Sequence, residues 1–161
     1  MVAQKAFQDY ITEDQFNHCW GCGRKNNHGF RIKSYWEGDE AICRFHPEEF
    51  HMAAHGILNG GVIATIIDCH STLTAIATVY RAAGRELGSK PIIAYVTASL
   101  EINYLRPTPI EPIILRAKAQ ESDGKRITVN CSLYANGQEC VRAVVVAARV
   151  PADFIKHATK E

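Results

Sequence analysis

The chain has 161 residues, 47% hydrophobic and 22% charged, which is the size and composition of one globular domain around a single core. A formal net charge of +1 argues against a general nucleic-acid or membrane-surface binder, since both need a strongly basic face. A local basic pocket for a phosphorylated small molecule stays compatible with that balance.

The N-terminus, MVAQKAFQDYITED, has no apolar signal core. The six cysteines are therefore expected as reduced thiols in the cytoplasm. Residues 1–18 read as a lead-in, where Thr12 and Gln15 have capping-box spacing for a short helix. Residues 19–29, CWGCGRKNNHG, concentrate Gly and Asn and predict a tight loop. Two strands follow, FRIKSYW and EAICRF, across a hairpin turn at Glu37-Gly38-Asp39. Pro47 ends the pair, and the loop to Leu58 carries His51 and His55.

A helix is predicted from Gly60 to about Ala83, with Asn59 as N-cap and Gly84 as the stop. It is apolar on most sides, so it should be enclosed rather than lie on a surface. Asp68, His70 and several hydroxyls in the same run make it a poor membrane span. Strands are predicted at 93–105, 113–121, 126–134 and 139–150, with hairpin turns at Asp123-Gly124 and Asn136-Gly137. In the first of these, Thr97, Ser99, Glu101 and Asn103 share one face, while Val96, Ala98, Leu100, Ile102 and Tyr104 share the other. Residues 30–150 thus form the core of one domain, 1–161, and 151–161 a tail. The order of two strands, one long helix and four hairpin-linked strands indicates α+β with an antiparallel sheet curved around a central helix.

The chemistry concentrates in that helix. Gly60 and Gly61 lie where backbone N–H groups have no intrahelical partner and the dipole favours negative charge. Lacking side chains, they let a ligand carbonyl approach, as an oxyanion site requires. The plainer reading is a tight turn or a close helix–strand contact. Asp68 stands among Val62, Ile63, Ile66, Ile67, Leu73 and Ile76, where an unpaired carboxylate is costly to bury. It can serve as general base toward water or as nucleophile toward an acyl carbon. The plainer reading is a carboxylate satisfied by Thr65 or Thr72. Thr72, one turn on, shares its face and can orient the carboxylate or a water. Gly60 and Asp68 are separated by a rise of about 12 Å. One carbonyl does not readily touch both, so catalysis predicts an obligate homo-oligomer that pairs Gly60 of one subunit with Asp68 of another.

Asn59-Gly60-Gly61, then Val62-Ile63-Ala64-Thr65-Ile66-Ile67-Asp68, then Tyr104-Leu105-Arg106-Pro107 after a strand, resembles the PaaI-like hotdog-fold acyl-CoA thioesterases over roughly residues 19–150. The early Cys19-x-x-Cys22-Gly23 and Asn26-x-x-Gly29 segment resembles a subset of them. The resemblance implies a hotdog fold, dimers often paired into tetramers, and hydrolysis of an acyl-CoA thioester, with coenzyme A as part of the substrate and no separate cofactor. It further implies a carbonyl-polarising Gly60, a catalytic Asp68 and a helping hydroxyl on Thr72. Thr97 would lie near the reacting water and Arg106 near coenzyme A phosphates. Where the family usually has His-Gly-Gly this chain has Asn59, which donates a hydrogen bond but does not titrate near neutral pH. The Asn or Gln often found upstream has His55 as its one obvious substitute.

The remaining candidates are weaker. His18, Cys19, Cys22 and His28 form a lone CxxC with flanking histidines, a weak zinc signal because structural sites use two well-spaced ligand pairs. A loop packed at the edge of the site, with no metal, is expected instead. A thioredoxin-like role lacks its βαβ context. Asp68, Cys69 and His70 face different ways on a helix and form no triad. Cys69 reads as a small core residue, His70 as a satisfied core histidine, and Trp20 and Trp36 as packing residues. An acyl-CoA thioesterase with no nucleic-acid or membrane partner leads. A non-catalytic acyl-CoA or fatty-acyl binding protein on the same fold is the alternative. A dehydratase, which would want a histidine beside the acid, is third.

Overall fold

The computed structural model describes residues 4–157. In chain order its elements are β1 (Ser34–Glu37), β2 (Glu40–Phe45), β3 (Met52–Ala54), β4 (Ile57–Leu58), α1 (Gly60–Ala82), β5 (Tyr95–Tyr104), β6 (Ile113–Ser122), β7 (Arg126–Ala135), β8 (Gln138–Arg149) and α2 (Ala152–His157). The outer ends of the expected lead-in and tail, 1–3 and 158–161, lie outside the described residues.

Turn chemistry sets the sheet. Gly38-Asp39 joins β1 to β2, with Glu37 opposite Glu40. Asn136 and Gly137 both adopt positive φ, 50° and 74°, the mirror-image turn whose twist matches its flanking strands. The six main strands form one antiparallel sheet in the order β1-β2-β6-β7-β8-β5. β3 and β4 make a separate small hairpin, too short for any periodicity to show in the sequence.

α1 packs on the helix-facing side of this sheet, which is the hotdog arrangement. Asn59 caps it, and the C-terminus closes as a Schellman motif: Arg85 N–H donates to Tyr80 C=O (2.9 Å) and Gly84 N–H to Arg81 C=O (3.1 Å). Gly84 supplies the left-handed residue, φ 62°. Ile66 and Ile67 are completely buried with Leu115, Val129 and Val145 of β6, β7 and β8, each such side chain contributing about 1.5–3 kcal/mol of burial. α1 is long and apolar enough to cross a membrane by length and composition; here its apolar faces are packed on the sheet.

Three expectations need correction. The first strand begins at Ser34, not Phe30. Arg31 is left-handed (φ 47°), and Phe30 and Ile32 donate to Trp20 and Gly21 carbonyls, so this stretch pairs with the Cys/Gly loop. Thr12 caps nothing: its hydroxyl donates to Glu13 Oε2, and the short 3-10 helix Asp14–Asn17 starts without a side-chain cap. The third concerns β5. Thr97 pairs with Ala147 but Ser99 with Val146, so Ala98 is an extra residue in a β-bulge. The core side of β8 carries Val141, Ala143, Val145 and Ala147, all buried. Their partners Tyr104, Ile102, Leu100 and Thr97 therefore face the helix together, across what the alternation reads as two faces.

Candidate active site

At the start of α1 the Asn59 side-chain carbonyl accepts from Gly61 N–H (2.8 Å) and Val62 N–H (3.2 Å). The Gly60 N–H is left over, with no acceptor among the described residues. Gly61 is thereby a capping donor; a Cβ there would come 3.0 Å from Asn59 Oδ1, so glycine suits the cap itself. A Cβ on Gly60 would meet nothing closer than Tyr104 Oη at 3.4 Å, an ordinary contact. Tyr104, which sequence reasoning missed as a partner, donates to Gly60 C=O (2.8 Å) and fastens the helix start to the end of β5.

Two turns on, Asp68 is half-buried. Thr97 Oγ1 donates to Asp68 Oδ1, and Thr72 Oγ1 lies 2.9 Å from Thr97 Oγ1. Since the Thr97 hydrogen is engaged, Thr72 is the donor in that pair. Thr72 thus positions Thr97 and does not touch the carboxylate, and Thr65 is turned to Gly61 C=O. Asp68 Oδ2 receives no hydrogen bond from the described residues. Burial raises the Asp68 carboxyl above its ordinary value; the Thr97 hydroxyl opposes that shift and the negative Cys19 adds to it.

Asp68, Thr72 and Thr97 line a cavity of about 460 Å³ whose other walls are largely apolar, among them Phe7, Ile11, Leu73, Ile76 and Ile93. The lead-in segment, unremarkable in sequence, closes one side of it. The structure therefore groups Asp68, Thr72 and Thr97 in one place and Asn59, Gly60 and Gly61 in another. His55 sits exposed at the tip of the β3–β4 hairpin, and Arg106 is exposed just past β5; neither joins the carboxylate. Metal-ligand geometry also departs from the sequence reading. The sulfurs of Cys19, Cys22 and Cys69 lie together, whereas the two histidines do not join them. His18 pairs with Asp14 (3.2 Å).

A comparison with protein families matches residues 55–142 to the thioesterase superfamily. Among curated proteins, the chain is similar to the acyl-coenzyme A thioesterase THEM4 of Bos taurus, 23% identical over 140 residues that cover 85% of this chain and 52% of the relative. The chain spans about half the length of the curated relatives it matches. Among solved structures, a thioesterase superfamily protein from Shewanella loihica PV-4 is 35% identical with a TM-score of 0.59, covering 80% of this chain and 98% of that one. The fold is shared with smu.793 of Streptococcus mutans UA159, solved bound to acetyl CoA, at 17% identity and TM-score 0.60, covering 74% of this chain and 88% of that one. A family match over more than half of its length, and a relative at 35% identity, establish that the chain belongs to the thioesterase superfamily.

Proposed function

We propose that this chain is a PaaI-like acyl-CoA thioesterase, hydrolysing the thioester to a free acid and coenzyme A at a site shared between two copies. The observation that carries the reading is Asp68 Oδ2, a carboxylate oxygen with no donor among the described residues, beside an apolar cavity that fits an acyl chain. Asp68 takes a proton from water. The resulting hydroxide attacks the thioester carbon, the C–S bond breaks, and the coenzyme A thiolate leaves with the proton Asp68 held. A carboxyl raised by burial is a better base than an exposed one. Thr97, steadied by Thr72, fixes the carboxylate. The free Gly60 N–H, at the positive end of α1, stabilises the oxyanion. Asn59 holds that turn through its side-chain carbonyl, with its amide donor a candidate for positioning the substrate, while His55 and Arg106 are candidates for contacts with the rest of it, Arg106 with its phosphates.

Assembly follows from the distance between the two halves. The rise of about 12 Å keeps Gly60 and Asp68 of one chain apart. β5 offers an outer edge with no partner strand among the described residues, with Val96 49% and Tyr104 52% exposed, the kind of edge that pairs with another strand. Two copies joined antiparallel along β5 would bring the Tyr104–Gly60 end of one toward the Thr97–Asp68 end of the other. We therefore favour a homodimer, alone or paired into a tetramer. Six free thiols fit a reducing compartment, the cytoplasm.

The test is turnover of purified protein on short, long and aromatic acyl-CoAs with Asp68→Asn as control. Wild type should exceed the variant by about 10²–10⁴-fold in kcat, the range of a general base. A folded wild type that binds acyl-CoA without hydrolysing it above the variant would make it a binding protein instead. Full activity in a strict monomer would sink the shared site.

A further inference from the structure

Three cysteines far apart in sequence meet beside the helix. Cys19 and Cys22 come from the Cys/Gly loop and Cys69 from α1, and their sulfurs all lie within 4.8 Å of one another. Cys19 Sγ and Cys69 Sγ are 3.6 Å apart. A tetrahedral zinc with Zn–S bonds of about 2.3 Å holds its thiolates about 3.8 Å from each other, so the cluster has the span of such a site.

The loop is built for that span. Gly23 N–H donates to Cys19 C=O (2.8 Å), closing a tight turn around the pair. The Cys19 sulfur shares a hydrogen bond with Cys69 Sγ across the loop–helix contact. The neighbouring Cys22 and Cys69 thiols hold the Cys19 thiol below its ordinary value. Gly21 lies directly on the helix: a Cβ there would stand 2.4 Å from Cys69 Sγ. A Cβ on Gly23 would stand 2.4 Å from Cys19 N and 2.5 Å from Asn17 O. Gly21 is therefore required by the approach of the loop to the third sulfur, and Gly23 by the tight fold of the loop on its own backbone. Cys19 is exposed, Cys22 half-buried and Cys69 buried, which leaves a way in from solvent on the Cys19 side. None of the three has a disulfide partner.

We propose that Cys19, Cys22 and Cys69 bind one zinc ion. The donor set is wholly cysteine sulfur, which favours zinc over the hard cations that take oxygen ligands. Three protein ligands leave one of zinc's four positions for a small ligand. The three cysteines line the same cavity as Asp68 and Thr72, so that ligand would come from the candidate active site. The proposal is independent of the hydrolytic reading: it stands or falls on metal binding alone.

Co²⁺, which shares zinc's tetrahedral preference and reports it by colour, is the probe. Titrating the reduced, chelator-treated full chain should saturate at about one equivalent, with a thiolate-to-cobalt charge-transfer band and intense visible bands that Zn²⁺ abolishes. Cys19→Ala and Cys69→Ala should each weaken binding by about 100-fold or more. A folded wild type without the bands, or bands unchanged in Cys69→Ala, would overturn the proposal. Should a variant fail to fold, the unaltered chain decides. Zn²⁺ should slow N-ethylmaleimide labelling of Cys19 and Cys22, read by mass spectrometry, and unchanged labelling rates would be fatal to the site.

Discussion

Asp68 and His70 stand two residues apart on one helix, and the structure treats them oppositely. His70 is fully buried on the side of α1 facing β1 and β2, and both ring nitrogens are engaged. Its Nε2–H donates to Ala41 C=O (3.1 Å), and its Nδ1 accepts the Ser34 hydroxyl (2.9 Å). Ser34 is closed in turn by Gln8, which donates to Ser34 Oγ (3.1 Å) and accepts from Ser34 N–H (2.9 Å). The loop of bonds ties the lead-in to β1 and α1, and every member is satisfied. Asp68 has one donor, one oxygen that no described residue bonds, and a cavity beside it. Burial is expensive for both, so expense alone does not mark a reactive group. The open valence does.

The sharpest break in that comparison is at the Asp68 side. Asp68→Asn should abolish most turnover, as above, yet leave the melting temperature unchanged or higher, since it removes a carboxylate that burial disfavours. A thermal melt beside the turnover assay checks both halves. Gly60→Pro asks the same of the helix start. Proline is accepted at the first helical position, and Asn59 already has the extended conformation (φ −63°, ψ 133°) that a following proline demands. Only the amide hydrogen is lost, so the chain should fold while kcat drops by about 10²–10³-fold, the effect of one oxyanion donor. Unchanged kcat in a folded Gly60→Pro protein would remove Gly60 from the mechanism.

His70→Ala should do the reverse. It leaves Ser34 and the Ala41 carbonyl without partners and opens a cavity, which costs about 2–5 kcal/mol of stability in denaturant unfolding while the folded fraction keeps its kcat. Acid should expose the same group without a mutation. Burial holds His70 down to about 4, against its ordinary 6.5. Above pH 6.5 it is neutral in both states. As pH falls from 6.5 toward 4 the unfolded chain takes up a proton that the folded one refuses, so stability declines by on the order of 3 kcal/mol. Unfolding curves at pH 7 and pH 5 for wild type and His70→Ala should show this slope only in the former. Smallest is Thr72→Val, which removes a donor to Thr97 and nothing else. A loss of about 2–10-fold in kcat with unchanged KM is expected, the worth of one neutral hydrogen bond. A larger loss would mean that Thr72 touches the substrate itself.

Much of this was legible in the residues. The Asn59 cap, the Gly84 stop and the two-residue turns are local chemistry, written where they act, and they suffice for the helix and the hairpins. Asp68 and Gly60 stand out for the same reason, as groups at odds with their neighbours. What depends on distant partners was not legible. Nothing near Cys69 announces that Cys19 and Cys22 will pack on it, and nothing near Asp68 announces Thr97 as its donor. The β3–β4 hairpin is too brief to carry a pattern, and Arg31 offers no sign of its left-handed backbone.

The bulge in β5 bears on how the chain tolerates changes of length. Ala98 makes the strand one residue longer than the stretch of β8 it pairs with. Deleting Ala98 would leave every other side chain of the strand on the side it now occupies, Thr97 toward Asp68 and Tyr104 toward Gly60. A deletion further along, at Ile102 for example, would turn the remaining residues over and carry Tyr104 away from the helix. At that one position a codon can be lost at little consequence to the site, while its neighbours are held to a strict count.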